Sequence, residues 1–384
     1  MIVLNDNVTN SAMPMIPVAR PSLGPRELEA VSRVFDSRWL GLGAVTAEFE
    51  DRLSHILGGR LVVATNTGTS AIEVALRVIG VGPGDDVITP AMTFVATAQA
   101  IAATGARPVL CDIDPRTLNV SVATIEAART QNTKAVVPVD YRGLPVDIES
   151  IVSWAERHGI RVVQDAAHSF GSRYENGSLV GSVGDITCFS FDPIKNITCG
   201  EGGAIILSER SEYARANRLR VLGIDSTTWS RLEARRPWEY DVSEVGYRYH
   251  MPNFAAAIGI VQLERLSTFV STKQNVLKRY LEATENIKHL EMPTFPTDLC
   301  VPFLAVVLTD ERDRLMNYLR DAGIGSGVQY QALSSFTLFS SSDGPDLPTT
   351  LSVEKRLLTL PLLNDQTTDE QDRVVAALMS FPAS

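Results

Sequence analysis

The chain has 384 residues, long enough for two or three domains that each bury a core, and its 45% hydrophobic and 21% charged content excludes disorder, collagen and coiled coil. Lys and Arg number 35 against 45 Asp and Glu, a net charge of −10, so no cationic excess is available to a phosphate backbone and nucleic acid is not an expected partner. The four cysteines, Cys111, Cys188, Cys199 and Cys300, show neither a Cys-x-x-Cys pair nor zinc-like spacing, so reduced thiols and no metal are expected.

Residues 1–11 are polar and lack the basic and apolar regions of a signal peptide. No uninterrupted apolar run approaches the roughly 18 residues of a membrane span. A cytoplasmic protein without a membrane partner is the expectation. Between residues 60 and 210, short β-rich runs at 61–64, 86–89, 108–111, 135–138, 161–164, 186–191 and 204–207 alternate with helix-like stretches. That alternation predicts βαβ units around a mostly parallel, seven-stranded sheet. After the first run, Ala71, Val74, Ala75 and Val78 form the i, i+3, i+4, i+7 stripe of a helix laid on a sheet, and Pro83-Gly84-Asp85 supplies a turn. From about residue 209 the pattern is helical, and a long amphipathic run at 255–286 leads out of the first domain. A smaller α+β unit follows: a strand at 301–307, a helix at 310–322, a strand at 327–330, a loop at 334–350 rich in Ser, Asp, Gly and Pro, and a last helix at 368–381. The division expected is a large domain, 1–250, and a small one, 251–384.

Four segments carry chemistry. In 185–203 a strand ends at Ser190, a turn containing Pro193 presents Lys195, and Gly200-Glu201-Gly202-Gly203 leads into the next strand. A lysine held among Phe189, Phe191 and Ile194 is desolvated, which lowers its pKa and frees its amine to attack a carbonyl; the alternative is a solvated loop lysine. In 159–168, Asp165 stands just past a buried strand, where open α/β sheets bind ligands. Such a carboxylate needs a cationic partner, as a protonated pyridine nitrogen is; the alternative is a helix N-cap. In 65–71, small hydroxyl residues and Gly68 at a helix N-terminus make a phosphate site, although Thr69 or Ser70 equally suits a cap. Phe94 follows the second strand end, placed either to stack on a flat cofactor or to fill the core.

In the order phosphate turn, aromatic, aspartate, serine, lysine, these segments resemble the DegT/DnrJ/StrS family of pyridoxal 5'-phosphate (PLP)-dependent sugar aminotransferases. The resemblance runs from residues 16–21 and 39–43 to 357–362. It implies a three-layer αβα PLP-dependent transferase fold with a mixed seven-stranded sheet. It also implies that Lys195 forms the Schiff base and later moves the proton between substrate carbon and cofactor, and that Asp165 keeps the pyridine nitrogen protonated. Phe94 would stack on the ring, His168 would lie against the ring or its 3-hydroxyl, and Gly68, Thr69, Ser70 and Ser190 would bind the phosphate. Family members are usually homodimers that complete each site with a partner loop, here 246–253, which offers Arg248 and His250 where the family often has an asparagine. Asp140 replaces a frequent histidine, and residues 330–334, Tyr330-Gln331-Ala332-Leu333-Ser334, depart from the family's tyrosine, x, proline, leucine, histidine. Tyr330, Arg248 and His250 are the expected substrate residues.

The implied reaction carries the amino group of an L-amino acid, glutamate by expectation, to a ketone on a nucleotide-linked deoxysugar, with pyridoxamine phosphate formed in the half-reaction. A histidine in place of Lys195 would signal the family's dehydrating branch, and lysine is present. A keto-cyclitol acceptor and a non-catalytic PLP-binding sensor are the alternatives. A dinucleotide enzyme is excluded, because no G-x-G-x-x-G follows the first strand.

Overall fold

The core strands read as continuous apolar runs because both faces of the sheet are covered, and successive side chains go to opposite faces. A computed structural model describes residues 14–225, 238–340 and 346–383. Two helices come first, α1 (Pro25–Ser37) and α2 (Ala44–Ile56). The alternating region then runs β1 (Leu61–Thr65), α3 (Gly68–Val78), β2 (Asp86–Pro90), α4 (Val95–Ala103), β3 (Arg107–Cys111), α5 (Val122–Ala128), β4 (Thr133–Val136), α6 (Ile148–His158), β5 (Arg161–Asp165), β6 (Ile186–Ser190), β7 (Gly203–Leu207) and α7 (Arg210–Leu219). The strands lie in the order β1-β7-β6-β5-β4-β2-β3, all parallel except β7, which runs antiparallel to β1 and β6. All seven strands read from the sequence are present, in a mixed and mostly parallel sheet.

Alternation sorts each strand between two cores. Val63, Val87, Val163 and Ile205 face α3, α4 and α7. Val62, Ile88, Val162 and Ile206 face α2, α5 and α6. These are the three layers.

The long helix α8 (Asn253–Thr284) links the two parts of the molecule. Ala255, Ala256 and Phe269 belong to the core on the α2 side of the sheet. Val276, Leu277 and Tyr280 belong to a second core with β8 (Ala305–Leu308), α9 (Arg312–Asp321), β9 (Leu357–Leu360) and α11 (Thr368–Ser380). A further helix, α10 (Pro348–Arg356), precedes β9, which pairs antiparallel with β8. Ile16, far away in sequence, also packs in this second core and bridges to Ile324. The helix α8 does meet the length and hydropathy of a membrane span. The residues just named show that its apolar side chains serve both cores.

Several expectations for the C-terminal part differ from what is observed. Only Ala305–Leu308 of 301–307 is strand. Residues 301–304 instead run along the large sheet's loops, with Val301 N–H donating to Ser172 Oγ (2.8 Å) and Phe303 N–H to Arg142 O (2.9 Å). The run 327–330 makes a single bridge, Gly327 to Thr359, and then turns into the site described below. The partner of β8 is β9, whose Leu-rich residues fit a helix face as readily as a strand and are told apart only by pairing. Within the expected loop 334–350, Leu333–Ser335 forms a short 3₁₀ turn and α10 already begins at Pro348, while 341–345 lie outside the described residues. All four cysteines are buried and free.

Tyr280 ties α8 to the end of β9: its hydroxyl donates to Pro361 O (3.1 Å) and accepts from Gln366 Nε2 (2.7 Å), with the side chain fully buried. Tyr280→Phe leaves both partners unsatisfied and is expected to cost about 1–3 kcal/mol of stability, read as a lower midpoint in urea denaturation.

Candidate active site

The carboxyl ends of β1, β2, β5 and β6 open into one cavity of about 410 Å³. Its wall includes Gly68, Thr69, Phe94, Asp165, His168, Ser190, Lys195 and Tyr330, so eight of the residues singled out in the sequence meet around one space. They come from five separate stretches of chain, brought together by the parallel strands ending on the same side.

The turn after β1 is built by a capping box. Thr67 Oγ1 accepts the Ser70 N–H at 3.1 Å, and Ser70 Oγ accepts the Thr67 N–H at 3.2 Å. Ser70 Oγ also reaches Asn66 Oδ1 at 2.7 Å. The Ser70 hydroxyl is therefore engaged inside the turn and is not part of the cavity wall. The N–H groups of Gly68 and Thr69, in the first turn of α3, have no partner within the helix and face the cavity with the helix dipole behind them. Gly68 lies against the end of β6, where an added Cβ would stand 2.7 Å from Ser190 Cβ.

Asp165 ends β5 and is 5% exposed. Its Oδ2 accepts from Thr97 Oγ1 (2.8 Å), itself 3.1 Å from Thr93 Oγ1, and its Oδ1 accepts the Ala167 N–H (3.1 Å). Burial raises its pKa, opposed by the Thr97 bond, the Ala167 N–H and Lys195. A carboxylate so placed has two neutral donors and, among the described residues, no ion-pair partner, which leaves it able to hold a cation in the cavity.

Lys195 sits in a turn in which its N–H donates to Asp192 O (3.1 Å) and the Ile194 N–H to Asp192 Oδ1 (3.0 Å). Its ammonium makes no hydrogen bond with any described residue and lies 4.4 Å from the centre of the Phe303 ring. Burial pushes the amine down to about 8, against the pull of Asp192 and Asp165. His168 stacks on the same Phe303 ring (4.1 Å between centres) and its Nε2 is 3.2 Å from Tyr330 Oη. Burial, with Lys195 and Lys273, holds the imidazole well below its ordinary pKa, so the ring is neutral. Phe94, at the N-cap of α4, is 52% exposed and forms the outer wall 5.5 Å from the Tyr330 ring.

Two expected residues lie elsewhere. Arg248 and His250 line a separate cavity of about 950 Å³ with Trp39, Glu50 and Arg220, and none of its lining residues belongs to the cavity around Lys195. Asp140, expected near the substrate, is fully buried behind the wall, where its carboxylate accepts from Gln164 Nε2 (2.9 Å), Ser169 Oγ (2.5 Å) and the Val146 N–H (3.0 Å). Of residues 330–334 only Tyr330 reaches the cavity; Ala332 and Leu333 are buried. The wall also contains Thr67, Thr97, Glu201 and Gln329, to which the sequence reading assigned no role. Thr97 carried a signal, since it stands one helical turn after Thr93 and seven residues past the end of β2; Gln329 carried none beyond its neighbour Tyr330.

An amine with a lowered pKa, a buried carboxylate with no paired cation among the described residues and a helix N-terminus closed down on a strand fit the aldehyde, the pyridine nitrogen and the phosphate of PLP, in that order. Fold and site define a PLP-dependent aminotransferase. The chain belongs to the DegT/DnrJ/EryC1/StrS aminotransferase family, whose model matches residues 21–379. Among solved structures it is similar to the aminotransferase TlmJ from Streptoalloteichus hindustanus, at 32% identity and a TM-score of 0.88 over 95% of this chain and 98% of that one. It is also similar to the sugar aminotransferase CalS13 from Micromonospora echinospora, at 28% identity and a TM-score of 0.87 over 95% and 100% of the two chains. A third similar protein, Spr1654 from Streptococcus pneumoniae, has structures in its PLP and pyridoxamine-phosphate (PMP) forms; the PMP form gives 28% identity and a TM-score of 0.88 over 95% and 98%.

Gly68→Ala should push α3 away from Ser190 and raise the Kd for PLP about tenfold or more, the scale of one lost charge-assisted hydrogen bond. Gly82→Ala, whose added Cβ would meet nothing within 4 Å, should leave the Kd unchanged; both are read by fluorescence titration of the apoenzyme.

Proposed function

We propose that this aminotransferase moves the amino group of an L-amino acid, glutamate in the first instance, onto a keto group of a nucleotide-linked deoxysugar, working as a homodimer in the cytoplasm. The observation that carries the reading is the convergence of Lys195, Asp165 and the first turn of α3 on one cavity. The similarity to a sugar aminotransferase supports a sugar as acceptor. The placement of Arg248 and His250 on a second open cavity, away from Lys195 of their own chain, supports their serving a neighbouring protomer. The sharing of α8 between two cores, which leaves its apolar residues packed in protein, supports a protein free of the membrane.

When bound, PLP supplies an electron sink for the carbon that exchanges its amine. The residues of the chain do the rest. Lys195 Nζ, neutral above about pH 8, is the nucleophile toward a carbonyl carbon, and it then carries a proton to and from the amine-bearing carbon of the substrate. Asp165, held by Thr97 and Ala167, would meet the pyridine nitrogen with its carboxylate and favour a proton there. The Gly68 and Thr69 N–H groups, the Thr69 hydroxyl and the Ser190 hydroxyl would hold the phosphate. Phe94 would cover the bound ring. His168, neutral and bonded to Tyr330, stands as a hydrogen-bonding wall that brings no charge to the 3-hydroxyl side. Tyr330 and the partner's loop are the contacts offered to substrate.

Lys195→Ala should lose the cofactor's visible absorbance and at least about a thousandfold of turnover with glutamate, measured as 2-oxoglutarate released; retained turnover would sink the assignment. Lys195 has a lowered pKa, so its reactive fraction grows with pH. Uptake of PLP by the apoenzyme should accordingly speed up about fivefold between pH 7 and 8 and level off above pH 9, as followed by stopped-flow absorbance. A panel of ketosugar nucleotides tested beside keto-inositols decides the acceptor: amination of the keto-inositols alone overturns the nucleotide-linked reading.

A further inference from the structure

Two threonine hydroxyls stand in line behind Asp165. Thr97 Oγ1 donates to Asp165 Oδ2 at 2.8 Å and lies 3.1 Å from Thr93 Oγ1. Thr97 is 1% exposed and Thr93 2%, and both border the cavity. A threonine at a helix start ordinarily spends its hydroxyl on a backbone group of its own turn. Among the described residues neither of these hydroxyls bonds to backbone, and both are committed to the path toward Asp165.

Proton counting fixes the direction of that path. A hydroxyl has one proton to give and an ionised carboxylate has none, so the Thr97 proton goes to Asp165 and the proton between the two threonines comes from Thr93. Each donation strengthens the next donor along the line. A hydroxyl that donates to a carboxylate favours its charged form, which here acts against burial, as Lys195 also does. The Ala167 N–H holds the other oxygen, Oδ1, at 3.1 Å, so the carboxylate is gripped at both oxygens. Thr97 also shares its turn with Phe94, whose carbonyl accepts the Thr97 N–H at 3.2 Å. One turn of backbone therefore sets the ring at the outer wall and the hydroxyl behind Asp165 relative to each other.

We propose that Thr97 is a positioning residue for Asp165, with Thr93 as the donor that orients its hydroxyl: together they aim the carboxylate and keep it the acceptor that a protonated ring nitrogen requires. The proposal rests on the reading of Asp165 as the partner of the pyridine nitrogen. Its effect is largest toward PMP, which has no covalent link to Lys195 and depends on the contacts to its ring and phosphate alone.

Three substitutions separate shape from hydroxyl. Thr97→Val keeps the shape and loses the hydroxyl, Thr97→Ser keeps the hydroxyl, and Thr93→Val leaves the Thr97 hydroxyl without a donor behind it. The first readout is the Kd for PMP, by fluorescence titration of the apoenzyme. Thr97→Val should raise it about tenfold, the scale of one hydrogen bond to a charged group, Thr93→Val about two- to threefold, and Thr97→Ser should stay within about twofold of wild type. The second is the ¹⁵N NMR signal of the ring nitrogen in holoenzyme reconstituted with ¹⁵N-labelled PLP, which should move toward the unprotonated position in Thr97→Val and stay in place in Thr97→Ser. Thermal unfolding confirms that each variant is folded, and Thr97→Ala, which removes the same hydroxyl, takes the place of Thr97→Val if that variant does not fold. Either readout unmoved in Thr97→Val overturns the proposal, and so does a Ser variant as impaired as the Val variant, because shape and not the hydroxyl would then matter. An unmoved Kd in Thr93→Val overturns the part given to Thr93. Asp165→Asn keeps the two readings apart: a ring-nitrogen signal that it does not move overturns the pairing of Asp165 with that nitrogen, whereas a signal moved by Asp165→Asn and unmoved by Thr97→Val overturns only the role of Thr97.

Discussion

The site depends on how closely the first turn of α3 comes down onto two neighbouring strands. β7 runs antiparallel between β1 and β6, so its first residue, Gly203, is paired with the last residue of both, Thr65 on one side and Ser190 on the other. A Cβ on Gly203 would collide with the Thr67 carbonyl, and one on Gly68 would press into Ser190. Two glycines therefore allow a helix N-terminus, a strand-end hydroxyl and the glycine-rich approach to β7 to occupy nearly the same place. Without that contact the N–H groups of α3 would point at the sheet's edge and not at a site shared with Lys195.

Around this anchor the chain keeps several ionisable groups out of water. Among the described residues, Asp165 has hydroxyl and amide donors and no paired cation, Lys195 has an aromatic ring and no acceptor, and His168 has one hydroxyl partner. Each environment moves its group toward the neutral form, the direction that burial always takes. The outcome is a set of groups held toward their neutral forms, of which Lys195, brought down to about 8, gives up its proton closest to neutral pH. The net charge of −10 bears on none of this: phosphate is met by backbone N–H groups and hydroxyls, whose attraction is local and independent of the overall charge.

Much of this was legible before any coordinates. The seven strands were, because both faces of the large sheet are apolar and strand runs such as 161–164 and 204–207 stand out between turn residues. The gathering of Lys195, Asp165, Ser190, Gly68 and Thr69 around one opening was legible as well, because each lies at the last residue of a strand or within five residues after it, where an open α/β sheet puts its ligand. The C-terminal part of the chain was read less well. Leu357–Leu360 becomes strand only through pairing with Ala305–Leu308, some fifty residues earlier, and local pattern cannot express that. Residues 327–330 have strand-like composition but leave the sheet after one bridge, since their task is to bring Gln329 and Tyr330 to the cavity.

The order and kind of the chemical groups were determined by the sequence alone, since residue types at strand ends follow from local periodicity and short-range turn chemistry. Tertiary structure alone decided which of them share a space. It turned Ser70 inward to cap its helix, drew Asp140 behind the wall, carried Arg248 and His250 to a different cavity, and set Lys273 of α8 against the residue next to Lys195. Those placements depend on contacts between residues tens to hundreds of positions apart, and the energy of such contacts comes from burial that exists only once the layers have closed.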